Sequence, residues 1–186
     1  MELYKNAEDV HHVLYCMTEK IRYTTNELGN ACFITILKGG NFTASKIIQH
    51  LNLTTMDDVV FDYLGLSSYG HGTVSSKHVE VTYPLELTEN EVGDRIVWLI
   101  DDIKDTGLTL WVAEKIVRKK YPRATVRTAV LINKPNAHAE HVPVYTPDII
   151  GFNYTGDDFL IGCGLGYGEK YRGLQSLYTI KEGEEV

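Results

Sequence analysis

Apolar positions along this chain alternate between two patterns, short strand-like runs and longer stretches with helical spacing. Ile96 to Ile100 is an unbroken run of five apolar residues, too short for a membrane span and without the alternation of a one-sided strand. It reads as a strand buried on both faces. Ala31 to Leu37, Val59 to Leu64 and Ala124 to Ile132 read as further strands, and Val79, Val81 and Tyr83 alternate as a return strand would. Between them, Val10, Val13, Leu14, Met17 and Ile21 predict an amphipathic helix from Ala7 to about Leu28, and Phe42, Ile47, Ile48 and Leu51 predict a second. A third has Leu110, Ala113, Ile116 and Val117 on one face and closes at Arg118-Lys119-Lys120 before Pro122. Strands alternating with helices predict an α/β fold, a mostly parallel twisted sheet flanked by helices.

The polar residues that break these runs fall where such a fold binds ligands. The strand Ile96 to Ile100 is followed at once by Asp101 and Asp102, costly in a core but well placed in the crevice at the carboxyl ends of parallel strands. Asp105-Thr106-Gly107-Leu108-Thr109 then precedes a helix, so backbone N–H groups, hydroxyls and the helix N-terminus can converge on a phosphate. This is neither a Walker P-loop nor the dinucleotide fingerprint. Ala31 to Leu37 runs into Lys38-Gly39-Gly40, whose glycines let backbone approach a ligand, and Ala124 to Ile132 ends at Asn133-Lys134-Pro135. The polar stretch after Leu64 is long enough for a functional lid, the tip of a two-stranded flap over about residues 66–83. His138, Glu140 and His141 have metal-compatible spacing, but a solvated loop is the simpler account. Plain readings exist elsewhere too: a glycine turn at Gly39, a solvated Lys134, core packing for Phe159, a surface ion pair for Arg172.

Composition narrows the setting. A chain of 186 residues fits one domain with a sizeable core. A net charge of −7 gives no basic footprint for nucleic acid or an anionic membrane. Cys16, Cys32 and Cys163 are scattered, which points to free thiols in a reducing, cytoplasmic compartment. No secretory or membrane-spanning segment is expected, and only the acidic tail from Lys181 to Val186 reads as disordered.

The run Arg95 to Leu110 resembles the 5-phosphoribosyl-1-diphosphate (PRPP) signature of the type I phosphoribosyltransferases. Lys38-Gly39-Gly40, Ser67-Ser68-Tyr69-Gly70, Asn133-Lys134-Pro135, Pro147 to Phe152 and Phe159 to Arg172 are similar, in order, to blocks of the hypoxanthine-guanine branch. That resemblance implies Mg²⁺-dependent transfer of phosphoribose from PRPP to hypoxanthine or guanine, giving IMP or GMP and pyrophosphate in purine salvage. It also implies a small hood from the chain ends, about 1–8 and 148–186, and a homodimer or homotetramer. Residue by residue, Asp101 and Asp102 would meet the ribose hydroxyls or a metal ion, and Thr106, Gly107, Leu108 and Thr109 would hold the 5′-phosphate. Lys38, Gly39 and Arg172 would bind pyrophosphate, and Ser68 and Tyr69 would close over the sugar. Phe159 and Ile103 would sandwich the purine, Leu160 would offer backbone groups to its edge, Lys134 would bond its exocyclic oxygen, and Asp105 would be the general base.

Two positions depart from the family pattern. Gly166 stands where a metal-binding aspartate is usual, which predicts a weaker second metal site unless Asp157, Asp158 or Glu169 reaches in. Lys104 replaces an apolar residue beside Asp105, and it either lowers the pKa of that carboxyl or points into solvent. Other functions stay open: a shift in base specificity such as to xanthine, or a non-catalytic PRPP- or nucleotide-sensing regulator that binds RNA or DNA through Arg118, Lys119, Lys120 and Arg123.

Overall fold

The computed structural model describes residues 1–25, 30–51, 59–68, 79–139 and 142–181. In chain order its elements are β1 (Glu2–Lys5), α1 (Ala7–Thr25), β2 (Ala31–Leu37), α2 (Asn41–Leu51), β3 (Val60–Ser68), β4 (Val79–Tyr83), α3 (Glu89–Val92), β5 (Ile96–Lys104), α4 (Leu108–Lys120), β6 (Thr125–Asn133), β7 (Ile149–Asn153), β8 (Phe159–Ile161) and β9 (Leu177–Ile180). A six-stranded sheet has the order β4-β3-β2-β5-β6-β7, parallel throughout except for β4, which pairs antiparallel with β3 at one edge. The α/β fold expected from the alternation of strands and helices is present.

The central strands are buried on both faces, as the unbroken run at Ile96 to Ile100 required. Successive side chains of a strand point to opposite faces, so each central strand supplies two cores. Phe33, Trp98 and Ile100 pack with Val10, Leu14, Met17 and Ile21 of α1 and Ile47 and Leu51 of α2. Ile34, Val97 and Leu99 pack with Leu110, Ala113 and Val117 of α4. Full burial of each large apolar side chain contributes about 1.5–3 kcal/mol, which makes these three helices the walls of the sheet. The Trp98 indole N–H is satisfied within this core by Thr25 Oγ1 at 3.0 Å.

Two strands are longer than their apolar runs. β5 continues past Ile100 to Lys104 because its neighbour β6 continues too, with Ile103 opposite Ile132 and Lys104 opposite Asn133. The acidic pair is therefore inside the strand, where ladder bonds satisfy the backbone, rather than in a turn after it. β3 reaches Ser68 because β4 pairs with it up to the Ser68–Val79 match. Short α3 is closed by a capping box between Thr88 and Glu91.

β1, β9 and β8 form a separate three-stranded antiparallel sheet from the two chain ends. The expected hood boundary at residue 148 is corrected: β7 belongs to the large sheet, parallel to β6. Asp148 explains the attachment, since its carboxylate accepts from the Thr128 N–H at 2.8 Å and pairs with Arg127 at 2.8 Å. Tyr69 and the rest of the flap over 69–78, Glu140 and His141, the stretch from 26 to Leu28, and tail residues 182–186 lie outside the described residues. Among the described residues no helix is long and apolar enough to cross a membrane.

Candidate active site

The carboxyl ends of the neighbouring strands β2, β5 and β6 lie side by side and carry Lys38, Asp101, Asp102, Asp105 and Lys134. Asp101 and Asp102 are 6% and 8% exposed. Asp101 Oδ1 accepts from the Asp102 N–H at 2.9 Å, and Asp102 Oδ1 from the Ile103 N–H at 2.8 Å. Burial pushes both carboxyls up, Asp101 well above the usual carboxylate range, with the neighbouring Asp102 charge adding to it. The turn Lys38-Gly39-Gly40 lies directly on this pair. A Cβ at Gly39 would overlap the Asp102 carboxylate, and one at Gly40 would sit 2.6 Å from the carbonyls of Ile36 and Ile100. Two buried carboxylates whose charge lacks solvent suit hydroxyl donors or a hard cation. Among the described residues no cluster of three or more metal-ligating side chains exists. One or two protein carboxylates is what Mg²⁺ commonly uses when the remaining ligands are water and substrate phosphate.

β5 then delivers Asp105, its side chain 57% exposed, into the mouth of the crevice. Gly107 follows at φ 87, in the left-handed region, and a Cβ there would also meet Tyr145 Cβ at 2.9 Å. Glycine is the residue that this turn admits. α4 starts immediately, so Leu108 and Thr109 are in its first turn rather than in a loop before it. Leu108 is buried beside Ala139 and Val142, which leaves only its backbone for a ligand. Gly107 provides no side-chain cap, and the Leu108 N–H in the first turn of α4 makes only a long 3.5 Å contact with Thr106 Oγ1.

Lys134, at the end of β6, places Nζ 3.9 Å from Asp105 Oδ1 and 5.8 Å from the centre of the Tyr154 ring. Both line a cavity of about 240 Å³ completed by Asn136, Ala137, Tyr154, Thr155, Gly156 and Asp157. Tyr154 is a site residue missed in the sequence, its only signal being its position just past the end of β7. Ile103, Phe159 and Leu160 are not in this wall. Phe159 is half exposed at the start of β8 and meets Tyr167 edge to face at 5.4 Å, Leu160 is buried and paired with Thr179, and Ile103 packs against the main core.

Lys104 does not point into solvent. Its side chain is 3% exposed and its Nζ donates to the carbonyls of Lys134 at 2.8 Å and Ala137 at 2.7 Å. Strand geometry turns it inward, away from solvent, and burial lowers its own pKa while Asp105 raises it.

Lys38 and Arg172 converge on one carboxylate. Glu169 Oε2 lies 3.2 Å from Lys38 Nζ and its Oε1 3.4 Å from Arg172 Nη2. These two cations hold the Glu169 carboxyl below the usual range. Glu169 and Tyr171 both adopt left-handed backbone, at φ 65 and 70, an uncommon conformation for residues with a side chain. Arg172 Nη1 also donates to Gly164 O at 2.8 Å, which lays its side chain over Gly166. The absence of a side chain at Gly166 thus has a steric reason: a Cβ would stand 2.8 Å from Arg172 Cζ and Nε.

The buried thiols of Cys32 and Cys163 are each pushed up to about 12, chiefly by desolvation, and all three cysteines are free. Two of the four cations of the proposed basic patch are paired with carboxylates, Arg118 with Glu114 at 2.6 Å and Arg123 with Glu89 at 3.5 Å.

Residues 5–169 match the model of the phosphoribosyl transferase domain family. A hypoxanthine-guanine phosphoribosyltransferase of Streptococcus thermophilus is 31% identical over 186 aligned residues, covering 94% of this chain and 96% of that one. One of Mycobacterium avium is 32% identical over 147 residues, covering 79% of this chain but 66% of the relative, just under two thirds of its length. The crystal structure of a hypoxanthine phosphoribosyltransferase from Staphylococcus aureus superposes with a TM-score of 0.81 at 24% identity, over 97% of this chain and 91% of that one, a likeness of fold.

Proposed function

This chain belongs to the phosphoribosyltransferase family, and on that premise we propose that it transfers the 5-phosphoribosyl group of PRPP to hypoxanthine or guanine. The products are IMP or GMP and pyrophosphate. The observation that carries this reading is the pairing of Asp105 and Lys134 across one cavity, 3.9 Å apart, beside the open N-terminus of α4. A carboxylate and an ammonium so placed suit a base that must lose one proton and keep one carbonyl oxygen bound.

As the bond from the anomeric carbon to pyrophosphate lengthens, positive charge builds on the ribose ring and negative charge on the leaving group. Asp101 and Asp102 hold the ribose hydroxyls, and the residues from Thr106 to Thr109 hold the 5′-phosphate with backbone N–H groups and hydroxyls. Lys38, the Gly39 backbone and Arg172 take the pyrophosphate. Asp101 and Asp102 would hold Mg²⁺, which would supply further positive charge to the leaving diphosphate. Lys134 donates to the exocyclic oxygen of the purine; the family resemblance gives Phe159 and Ile103 to its two faces and the Leu160 backbone to its edge, although these three stand outside the cavity wall. Asp105 accepts the proton from N7 as the new glycosidic bond forms. The family resemblance assigns Ser68 and Tyr69 to keeping water from the reacting sugar.

The test is pyrophosphate release by the purified protein with PRPP, Mg²⁺ and each of hypoxanthine, guanine, xanthine and adenine. Turnover is expected with hypoxanthine or guanine and not with adenine, whose amino group would face the Lys134 ammonium. Asp105→Asn should keep PRPP affinity and lose roughly 10²–10⁴ in kcat. Absence of turnover with every 6-oxopurine, together with tight nucleic-acid binding, would establish the regulator instead.

A further inference from the structure

Lys104 is a buried cation that the reaction itself does not use. It is 3% exposed and stands at the end of β5 opposite Asn133. An apolar side chain of similar volume would avoid the desolvation of an ammonium, so the role of the charge must be sought in what it binds. It binds the turn that follows β6. Nζ donates to Lys134 O at 2.8 Å and Ala137 O at 2.7 Å, while the Lys104 carbonyl accepts the Lys134 N–H at 2.9 Å. The Lys134 carbonyl also accepts the Ala137 N–H at 3.3 Å, so the turn is closed on itself and then fastened to β5. Charge-assisted bonds of this kind are the strong ones, and two of them from one nitrogen fix both ends of the turn. That turn provides Lys134, Asn136 and Ala137 to the cavity, and Lys134 points across it toward Asp105 on the strand that carries Lys104.

We propose that Lys104 is the positioning residue for purine recognition, holding the 134–137 turn so that the Lys134 ammonium stands at a set distance from Asp105. The proposal rests on the purine-transfer reading for its kinetic consequence, but the clamp itself does not depend on that reading. PRPP is bound by other segments, so loosening the turn should weaken the purine side of the site selectively.

Two measurements on the full chain test this, with Lys104→Met, which keeps length and removes the donors, and Lys104→Gln as a second variant that retains a shorter donor. In ligand-free protein, amide hydrogen exchange at Lys134 and Ala137, whose N–H groups are bonded within the clamp, should accelerate by roughly tenfold or more in Lys104→Met, as expected for loss of hydrogen bonds from a charged donor. In steady-state assays the KM for hypoxanthine or guanine should rise by roughly the same factor, with the KM for PRPP within about twofold of wild type. Unchanged exchange would overturn the clamp. Faster exchange with an unchanged purine KM, or equal rises in both KM values, would overturn the positioning role. If Lys104→Met does not fold, Lys104→Gln must show the same selective rise, smaller in size, and an even rise or none overturns the proposal. Wild-type protein inactive with every purine would instead defeat the functional reading, and the exchange experiment would still decide the clamp.

Discussion

A side chain at position 166 should displace Arg172 before it can serve a metal ion. Gly166 is outside the left-handed region, so its backbone tolerates a Cβ and the obstacle is space. That Cβ would stand 2.8 Å from Arg172 Cζ and Nε and 2.9 Å from Cγ, where ordinary contact begins at 3.4 Å. The guanidinium must therefore retreat, and retreat stretches its 2.8 Å bond to Gly164 O. Arg172 Nε is already buried without a hydrogen-bond partner among the described residues, so the site has little to offer the displaced group. Overpacking of this kind costs about 1–3 kcal/mol. At roughly 2–4 °C per kcal/mol for a chain of this size, Gly166→Ala should melt about 2–12 °C below wild type. Because Arg172 is a pyrophosphate ligand in the proposed reaction, the KM for PRPP should rise with it. Gly166→Asp adds the carboxylate to the same steric load, so comparing the two variants separates space from charge. Thermal melts with PRPP and Mg²⁺ titrations of both variants are the assay. A lower half-saturating Mg²⁺ in Gly166→Asp alone would assign the added carboxylate to the metal. Gly166→Ala with an unchanged melting temperature and unchanged PRPP KM would show that Arg172 moves freely, and the steric reasoning would be wrong.

Two further outcomes follow from charges at the site. Glu169 stays ionised between Lys38 and Arg172 and competes with any anion they bind, so Glu169→Gln should bind inorganic pyrophosphate a few-fold tighter, most visibly at low salt. Calorimetric titration showing equal or weaker binding refutes that competition. Asp101 has a folded pKa raised by burial, so its stability contribution is present at acid pH and lost as pH rises through the folded value. Asp101→Asn should therefore melt higher than wild type at neutral pH without metal, the gain vanishing as pH falls toward the ordinary aspartate value of about 3.9. A gain independent of pH would count against the burial explanation.

The sequence by itself determined the layered α/β architecture, because periodicity is a local property: an unbroken run as short as Ile96 to Ile100, set among amphipathic helical patterns, reads as a strand with both faces covered. It also placed Asp101, Asp102, Asp105, Lys38 and Lys134 at strand ends, since in a parallel sheet those ends lie on one rim whatever the details of packing. Tertiary structure decided what these groups touch. Lys104 could not be assigned a direction from sequence, because β5 extends beyond its apolar run only through pairing with β6, and that extension turns the ammonium inward to the 134–137 turn. Glu169 stands between Lys38 and Arg172 because the chain ends fold back as β1, β8 and β9, bringing together residues 131 positions apart. The guanidinium of Arg172 lies against Gly166, a contact that the residue types alone do not disclose. Local pattern encodes elements and their order, whereas the distance between two side chains on different elements is set by the packing of everything between them.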